Sequence, residues 1–158
     1  MCSPKIDPES LKRRRDLLAI IFKYKFSSIL DIGCGKGEDM ELLKILFPNI
    51  QIVGIDKNYQ AENILQADAL KVVHGIADNS YDLVITDAVM GDFFGQTSYA
   101  NWEGRPTLEE QFITELIRIS KQAVIMLEKY IPINLLSYQK TEIDFWATQK
   151  GYIYEFIK

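Results

Sequence analysis

Short runs of apolar residues recur along this chain, separated by segments in which apolar residues follow helical spacing. Runs of four to eight apolar residues bounded by turn-forming residues are typical of buried strands. On this basis we predict six strands, at residues 28–32, 50–55, 64–67, 81–86, 123–127 and 152–157. Strands that alternate with helical segments indicate βαβ units, which wind right-handedly into a parallel sheet.

The helical segments have recognisable starts and stops. Asp7 suits the N-cap of the opening helix and Pro8 its first position. The apolar stripe predicted to face inward from this helix consists of Leu11, Leu18, Ile21 and Phe22. The predicted helices span about 8–24, 37–47, 108–120 and 134–150, with an irregular link through His74.

The first strand leads directly into Gly33, Gly35 and Gly37, and then into a helix. Glycine adopts strained turn dihedrals and lets a ligand approach the main chain closely, so this turn predicts a cofactor site. The dinucleotide fingerprint needs its third glycine where Glu38 stands. The spacing therefore argues against NAD and FAD, and against an NAD-dependent oxidoreductase.

The run from Asp31 to Gly37 resembles the first motif of class I S-adenosylmethionine (SAM) dependent methyltransferases, acidic-x-Gly-x-Gly-x-Gly. Asp31 and the three glycines match it position by position. The resemblance covers nearly the whole chain through four ordered motifs. It implies a doubly wound, mostly parallel α/β sheet of six or seven strands with helices on both faces. SAM would be the cofactor and S-adenosylhomocysteine the product.

Two further carboxylates fit the resemblance. Asp56 lies 19 positions beyond Gly37, at the tip of the adjacent strand, where it can accept hydrogen bonds from both ribose hydroxyls. The neighbouring Lys57 is counted among the predicted cofactor contacts. Asp68 and Ala69 match the family's adenine-binding pair. An ordinary turn aspartate at 56 and a helix cap at 68 are the structural alternatives.

Asp87 ends the fourth strand, which places it beside the methionine part of the cofactor and the substrate. It is the first candidate for positioning or deprotonating the acceptor, and Glu128 is the second; each could instead bind backbone or water. The residues after Asp87 depart from the Asn/Asp-Pro-Pro-aromatic motif of enzymes that methylate exocyclic amino groups of nucleic acid bases. His74, on the link before the fourth strand, is assigned a surface role.

A long irregular segment, 88–107, leaves from the predicted cofactor edge. Long loops in compact domains are usually functional or disordered. Its aromatic residues could line a substrate pocket or form a lid, or merely pack the loop onto the body. They are Phe93, Phe94, Tyr99 and Trp102.

Length and composition indicate one soluble domain over 1–158, with a helical extension at 1–26 and a Rossmann-like core at 27–158. No apolar stretch suits a signal peptide or a membrane span, so we expect a cytoplasmic location. Neither a disulfide nor a metal site is predicted from the two cysteines. A net charge of −4 gives no general attraction to nucleic acid, and DNA is not an expected partner.

One basic run, 12–15, could contact phosphates, but a solvated helix face is the favoured interpretation. After the last predicted strand no residues remain for the seventh strand that full-length family members add. A six-stranded sheet would expose that last strand as an edge, which makes a homodimer as conceivable as a monomer.

The favoured function is a methyltransferase that acts by in-line SN2 attack of an unidentified acceptor, which could be a small molecule, an RNA or a protein. A SAM-binding partner or regulatory protein without catalysis is the main alternative. Ribose-methylating RNA enzymes of the same fold use a Lys-Asp-Lys-Glu set. Asp87 and Glu155 could belong to such a set, and Lys129 only with a register shift.

Overall fold

The computed structural model describes residues 8–87, 106–129, 131, 136–146 and 149–158. Seven strands form one sheet in the order β3-β2-β1-β4-β5-β7-β6. The strands are β1 Ser28–Ile32, β2 Gln51–Asp56, β3 Ile64–Gln66, β4 Tyr81–Asp87, β5 Ser120–Glu128, β6 Gln139–Trp146 and β7 Gln149–Ile157. Within the described residues, the helices are α1 Pro8–Ile21, α2 Glu38–Leu46, α3 Ala69–Val72 and α4 Leu108–Ile119, with a 3-10 turn at Val73–Gly75.

Strands β1 to β5 are parallel, and β7 is antiparallel to both of its neighbours. Apolar side chains on one face of the sheet pack against α1 and α2, and those on the other face pack against α3 and α4. The predicted doubly wound α/β architecture is therefore confirmed. In the described parts of the chain, no helix combines the length and apolarity needed to cross a membrane.

The predicted helix over 134–150 is wrong, because Gln139–Trp146 form β6 and pair with β7. The sheet thus has seven strands, and β6 pairs with β7 to form the hairpin that supplies the seventh. The prediction that the last strand of the chain is an exposed edge of the sheet is also wrong. β7 lies inside the sheet between β5 and β6, and β6 is the edge strand.

The predicted inward face of α1 is confirmed at Leu18 and Ile21, which pack on the core, and is wrong at Phe22. Leu17, Ile20 and Ile21 are buried, whereas Phe22 is 54% exposed. The helix ends at Ile21, so Phe22 has left the helical stripe. The N-cap assigned to Asp7 falls outside the described residues, as do the aromatic residues predicted to line a substrate pocket.

Candidate functional site

The carboxyl edge of the parallel strands holds an open cleft of about 380 Å³. Ligands of open α/β sheets collect at this edge. The cleft is centred on the turn between β1 and α2. Its lining residues are Arg14, Asp31, Gly33, Cys34, Gly35, Lys36, Glu38, Asp39, Tyr59 and Asp87.

The glycine turn has the conformation that its sequence predicts. Gly33, Gly35 and Gly37 have φ angles of 73°, 55° and 81°, in the left-handed region that side chains disfavour. A Cβ added to Gly35 would meet no atom within 4 Å, so the main chain there borders open space. A ligand can lie directly against the backbone at Gly35.

Hydrogen bonds and close packing hold the turn against β2. The Gly33 amide donates to the Ile55 carbonyl at 2.7 Å. The Gly35 amide donates to Asp56 Oδ2 at 2.9 Å. A Cβ at Gly54, within β2, would lie 2.4 Å from Cys34 Sγ and 2.7 Å from Met40 Sδ. Glycine at position 54 therefore allows the turn and α2 to seat against the strand.

Asp56 has more than one role at the tip of β2. Its Oδ1 accepts from the Asn58 amide at 2.7 Å and the Tyr59 amide at 3.2 Å. These two bonds show that Asp56 also acts as an ordinary turn aspartate. A carboxylate has about four lone-pair sites, so three bonds leave acceptor capacity for a further hydroxyl.

Asp31 is the most unusual charge of the cleft. It is 4% exposed, and no described residue donates a hydrogen bond to its carboxylate or forms an ion pair with it. Burial, and then the nearby Asp39, Asp87 and Asp56 carboxylates, raise the pKa of Asp31 well above its ordinary value. A buried carboxylate that faces a cleft in this environment favours binding of a cation.

Cys34 lies inside the turn and is free. Burial, together with the carboxylates of Asp31 and Asp56, raises its pKa to about 12. The thiol therefore stays protonated near neutral pH, and it is unsuited to act as a nucleophile.

Comparisons with known proteins agree with this geometry. Residues 14–134 match the family described as "Methionine biosynthesis protein MetW". The chain belongs to the MetW family. A SAM-dependent methyltransferase structure from Aquifex aeolicus superposes with a TM-score of 0.59 at 14% identity, over 95% of this chain and 94% of that one. This likeness shows the class I methyltransferase fold.

Two curated relatives of this MetW-family chain carry the name trans-aconitate 2-methyltransferase. The protein from Afipia carboxidovorans is 34% identical over 94 residues, which are 54% of this chain and 36% of the relative. The one from Sinorhizobium fredii is 36% identical over 80 residues, 51% of this chain and 30% of the relative. The chain thus spans about a third of the length of the curated relatives it matches.

The structure brings Asp31, Gly33, Gly35 and Asp87 together in the cleft. Asp56 contacts the turn through the Gly35 amide, but neither Asp56 nor Gly37 lines the cleft. Lys57, Asp68 and Ala69 do not line it. Asp68 caps α3, where its side chain accepts from the Leu70 amide at 3.1 Å. The helix-cap alternative therefore holds for Asp68, and its adenine contact stays a prediction.

Glu155 is not among the lining residues of the cleft that Asp87 lines, so the cleft gives no support to the Lys-Asp-Lys-Glu hypothesis. It is 2% exposed and pairs with Ile125 in the register of β5 and β7. Its carboxylate accepts from Tyr24 Oη at 2.9 Å and Lys23 Nζ at 3.2 Å. Glu155 thereby connects the residues that follow α1 to the sheet.

The structure also places Glu128, the second candidate base, and His74, which was assigned a surface role. Glu128 is buried at the end of β5, 5% exposed. His74 is 66% exposed at its side chain and lies 3.1 Å from Glu115 Oε2, as a surface role predicts.

Six residues that line the cleft were not predicted as site residues: Arg14, Cys34, Lys36, Glu38, Asp39 and Tyr59. Arg14 belongs to the basic run read as solvated, yet only 12% of its side chain is exposed. Its spacing from Leu17, Leu18 and Ile21 is the signal that could have found it, because residues three, four and seven apart share a helix face.

Proposed function

We propose that this protein binds SAM at the cleft and transfers its methyl group to an acceptor by in-line attack. The observation that carries the proposal is the glycine turn. It presents bare backbone at Gly35 to open space, and Asp56 and Asp31 flank it. The class I methyltransferase fold and the names of the curated relatives support the same function.

The residues present fit the adenosyl and methionine parts of SAM. The remaining acceptor site of Asp56 suits a ribose hydroxyl, and the bare backbone of the turn suits close approach of the ligand. Asp31 offers a buried negative charge for the α-ammonium of the methionine part. Asp68, Ala69 and Lys57 are the residues that we propose around the base.

SAM supplies an activated methyl group on its sulfonium when it is bound. The protein then has to align donor and acceptor and exclude water, and alignment can lower a barrier by roughly 7 to 11 kcal/mol. Asp87 is our candidate for orienting the acceptor or accepting its proton, and Glu128 is the second candidate. A base is needed only for a weakly nucleophilic, protonated acceptor.

Calorimetry and thermal shift with the full chain test the binding proposal. SAM and S-adenosylhomocysteine should bind and raise the melting temperature, and NADH should not. Asp56→Ala should lose most of this ligand-dependent stabilisation. Asp78→Ala is the matched control, since that carboxylate pairs with Arg118 and is 68% exposed. Tighter binding of NADH than of S-adenosylhomocysteine, or an unchanged response in Asp56→Ala, would overturn the assignment.

A SAM-binding regulatory protein is the second candidate. The family description supports it, because it names methionine biosynthesis and methionine is a part of SAM. Transfer of labelled methyl from SAM separates the two candidates, with small acids including trans-aconitate, RNA and protein pools as acceptors. Transfer to any pool supports the enzyme. Tight binding of S-adenosylhomocysteine with no transfer to any pool supports the regulator.

A further inference from the structure

Arg14 is the one residue of the described N-terminal extension that lines the cleft. Its Nη2 lies 2.6 Å from Glu38 Oε2, and its Nε lies 2.6 Å from Asp39 Oδ1. Both carboxylates belong to the first turn of α2. The extension is thereby fastened over the glycine turn, with a nearly buried guanidinium facing the ligand cleft.

The guanidinium keeps donors for another partner. Arginine has five N–H groups in a planar fork. In Arg14, Nε and Nη2 face Asp39 and Glu38, whereas Nη1 makes no hydrogen bond to any described residue. Arg14 can therefore bind a second carboxylate while its existing partners stay in place.

Arg14 and Asp31 place opposite charges in the lining of the same cleft. Asp87 lines the cleft as well. Asp31 is a buried carboxylate facing the cleft, and Arg14 is a nearly buried cation facing it. A ligand group with both charges, an α-amino acid, matches this pair.

We propose that Arg14 binds the α-carboxylate of the amino-acid part of SAM, opposite Asp31 at the α-ammonium. This inference rests on the proposed function. It makes α1 part of the binding site and makes Arg14 a specificity-determining residue. Adenosyl ligands that carry the complete amino acid are then preferred over those that lack its carboxylate. Arginine suits this role, because its fork matches carboxylate geometry.

Calorimetry of the full chain with three ligands tests the inference. The ligands are S-adenosylhomocysteine, its decarboxylated analogue and 5′-methylthioadenosine, which lacks the amino acid. Arg14→Gln should weaken S-adenosylhomocysteine about tenfold or more, since it removes a charge-assisted contact. The same variant should change binding of the other two ligands less than twofold, and their unchanged binding shows that it is folded.

Arg15→Gln is the matched control, because the Arg15 side chain is 70% exposed and pairs with Asp16. It should bind all three ligands as the wild type does. Arg14→Lys is the second variant. It keeps a positive charge for Glu38 and Asp39 but loses the fork, so it should weaken S-adenosylhomocysteine alone and by a smaller factor.

The outcomes are distinct. Equal weakening of all three ligands by both Arg14 variants would show that Arg14 only fastens α1, and would overturn the inference. Unchanged binding of S-adenosylhomocysteine by Arg14→Gln would also overturn it. Failure of the wild type to bind any of the three ligands would instead refute the proposed function.

Discussion

Two buried carboxylates lie at opposite ends of the parallel strands, one at the carboxyl edge of the sheet and one at the amino edge, and their surroundings differ. Asp31, at the carboxyl edge, has no described hydrogen-bond donor and a raised pKa. Asp82, at the amino edge, is also buried. Its carboxylate accepts from the Ser27 amide and hydroxyl, the Ser28 amide and Lys121 Nζ, at 2.7 to 3.1 Å.

These bonds hold the pKa of Asp82 well below its ordinary value, although burial alone would raise it. Asp82 therefore stabilises the fold, by joining the start of β4 to the start of β1. Keeping Asp31 ionised lowers the free energy of unfolding, because no described residue compensates its charge. The difference indicates which carboxylate serves structure and which is available to a ligand.

The largest effect should come from removing each carboxylate at neutral pH. Asp82→Ala leaves buried donors without an acceptor, so we expect a loss of about 3 kcal/mol in the free energy of unfolding. Asp31→Asn removes an uncompensated charge and should gain about 1 kcal/mol. Urea denaturation measures both. A loss of stability in Asp31→Asn as large as that in Asp82→Ala would contradict the comparison.

A smaller effect is expected at the contact between the glycine turn and β2. Gly54→Ala puts a methyl group against Cys34 and Met40, and overpacking of this kind costs about 2 kcal/mol. It should also weaken S-adenosylhomocysteine binding by shifting the turn.

Gly75→Ala is the matched control for Gly54→Ala, because a Cβ at Gly75 would meet nothing within 4 Å. Adding Cys34→Ala to Gly54→Ala removes the nearest atom and should restore part of the stability. Equal stabilities of the Gly54 and Gly75 variants would show that the turn does not depend on this contact.

The next largest change in stability should come from the loss of a single buried hydrogen bond. Tyr24→Phe removes the donor to Glu155 and should cost about 1.5 kcal/mol while S-adenosylhomocysteine binding stays unchanged. Denaturation and calorimetry on the same sample check both parts. Weakened binding would mean that the amino edge, too, influences the cleft.

The smallest effects are the pH slopes, which have opposite signs. The pKa of folded Asp82 lies below its ordinary 3.8, so its stabilisation is present above that pH and is lost as pH falls through the folded value. The pKa of folded Asp31 lies above its ordinary 3.8, so its ionisation costs stability only as pH rises from there.

Denaturation of each variant against the wild type from about pH 3 to pH 7 shows these slopes. The deficit of Asp82→Ala should shrink below about pH 4. The advantage of Asp31→Asn should be absent there and grow toward neutral pH. Parallel curves for the two variants would contradict the assignments.

Much of the parallel half of the fold is predictable, because its signals are local. The apolar runs of β1, β2 and β4 and the glycine turn after β1 need no distant partner to be recognised. β6 was misread because Gln139, Lys140 and Glu142 favour helices, whereas pairing with β7 decides the structure. Charged residues on an edge strand discourage association, which explains a helix-like composition there.

The site residues that belong to one sequence motif were predictable. Those that reach the site through contacts between separate helices and strands were less so. Asp31 and the glycines share a motif. Asp68 is the N-cap of α3, a local structural role that the motif does not reveal. Arg14 reaches the cleft because α1 contacts α2 through Glu38 and Asp39. The basic run at 12–15 does not indicate this contact by itself.

Calorimetric titration of S-adenosylhomocysteine into the wild type, Asp31→Asn and Asp78→Asn tests the central claim most directly. We predict binding by the wild type and by Asp78→Asn, and at least about tenfold weaker binding by a folded Asp31→Asn. No heat with the wild type, or equal affinity in Asp31→Asn, would contradict a cofactor site built around this buried carboxylate.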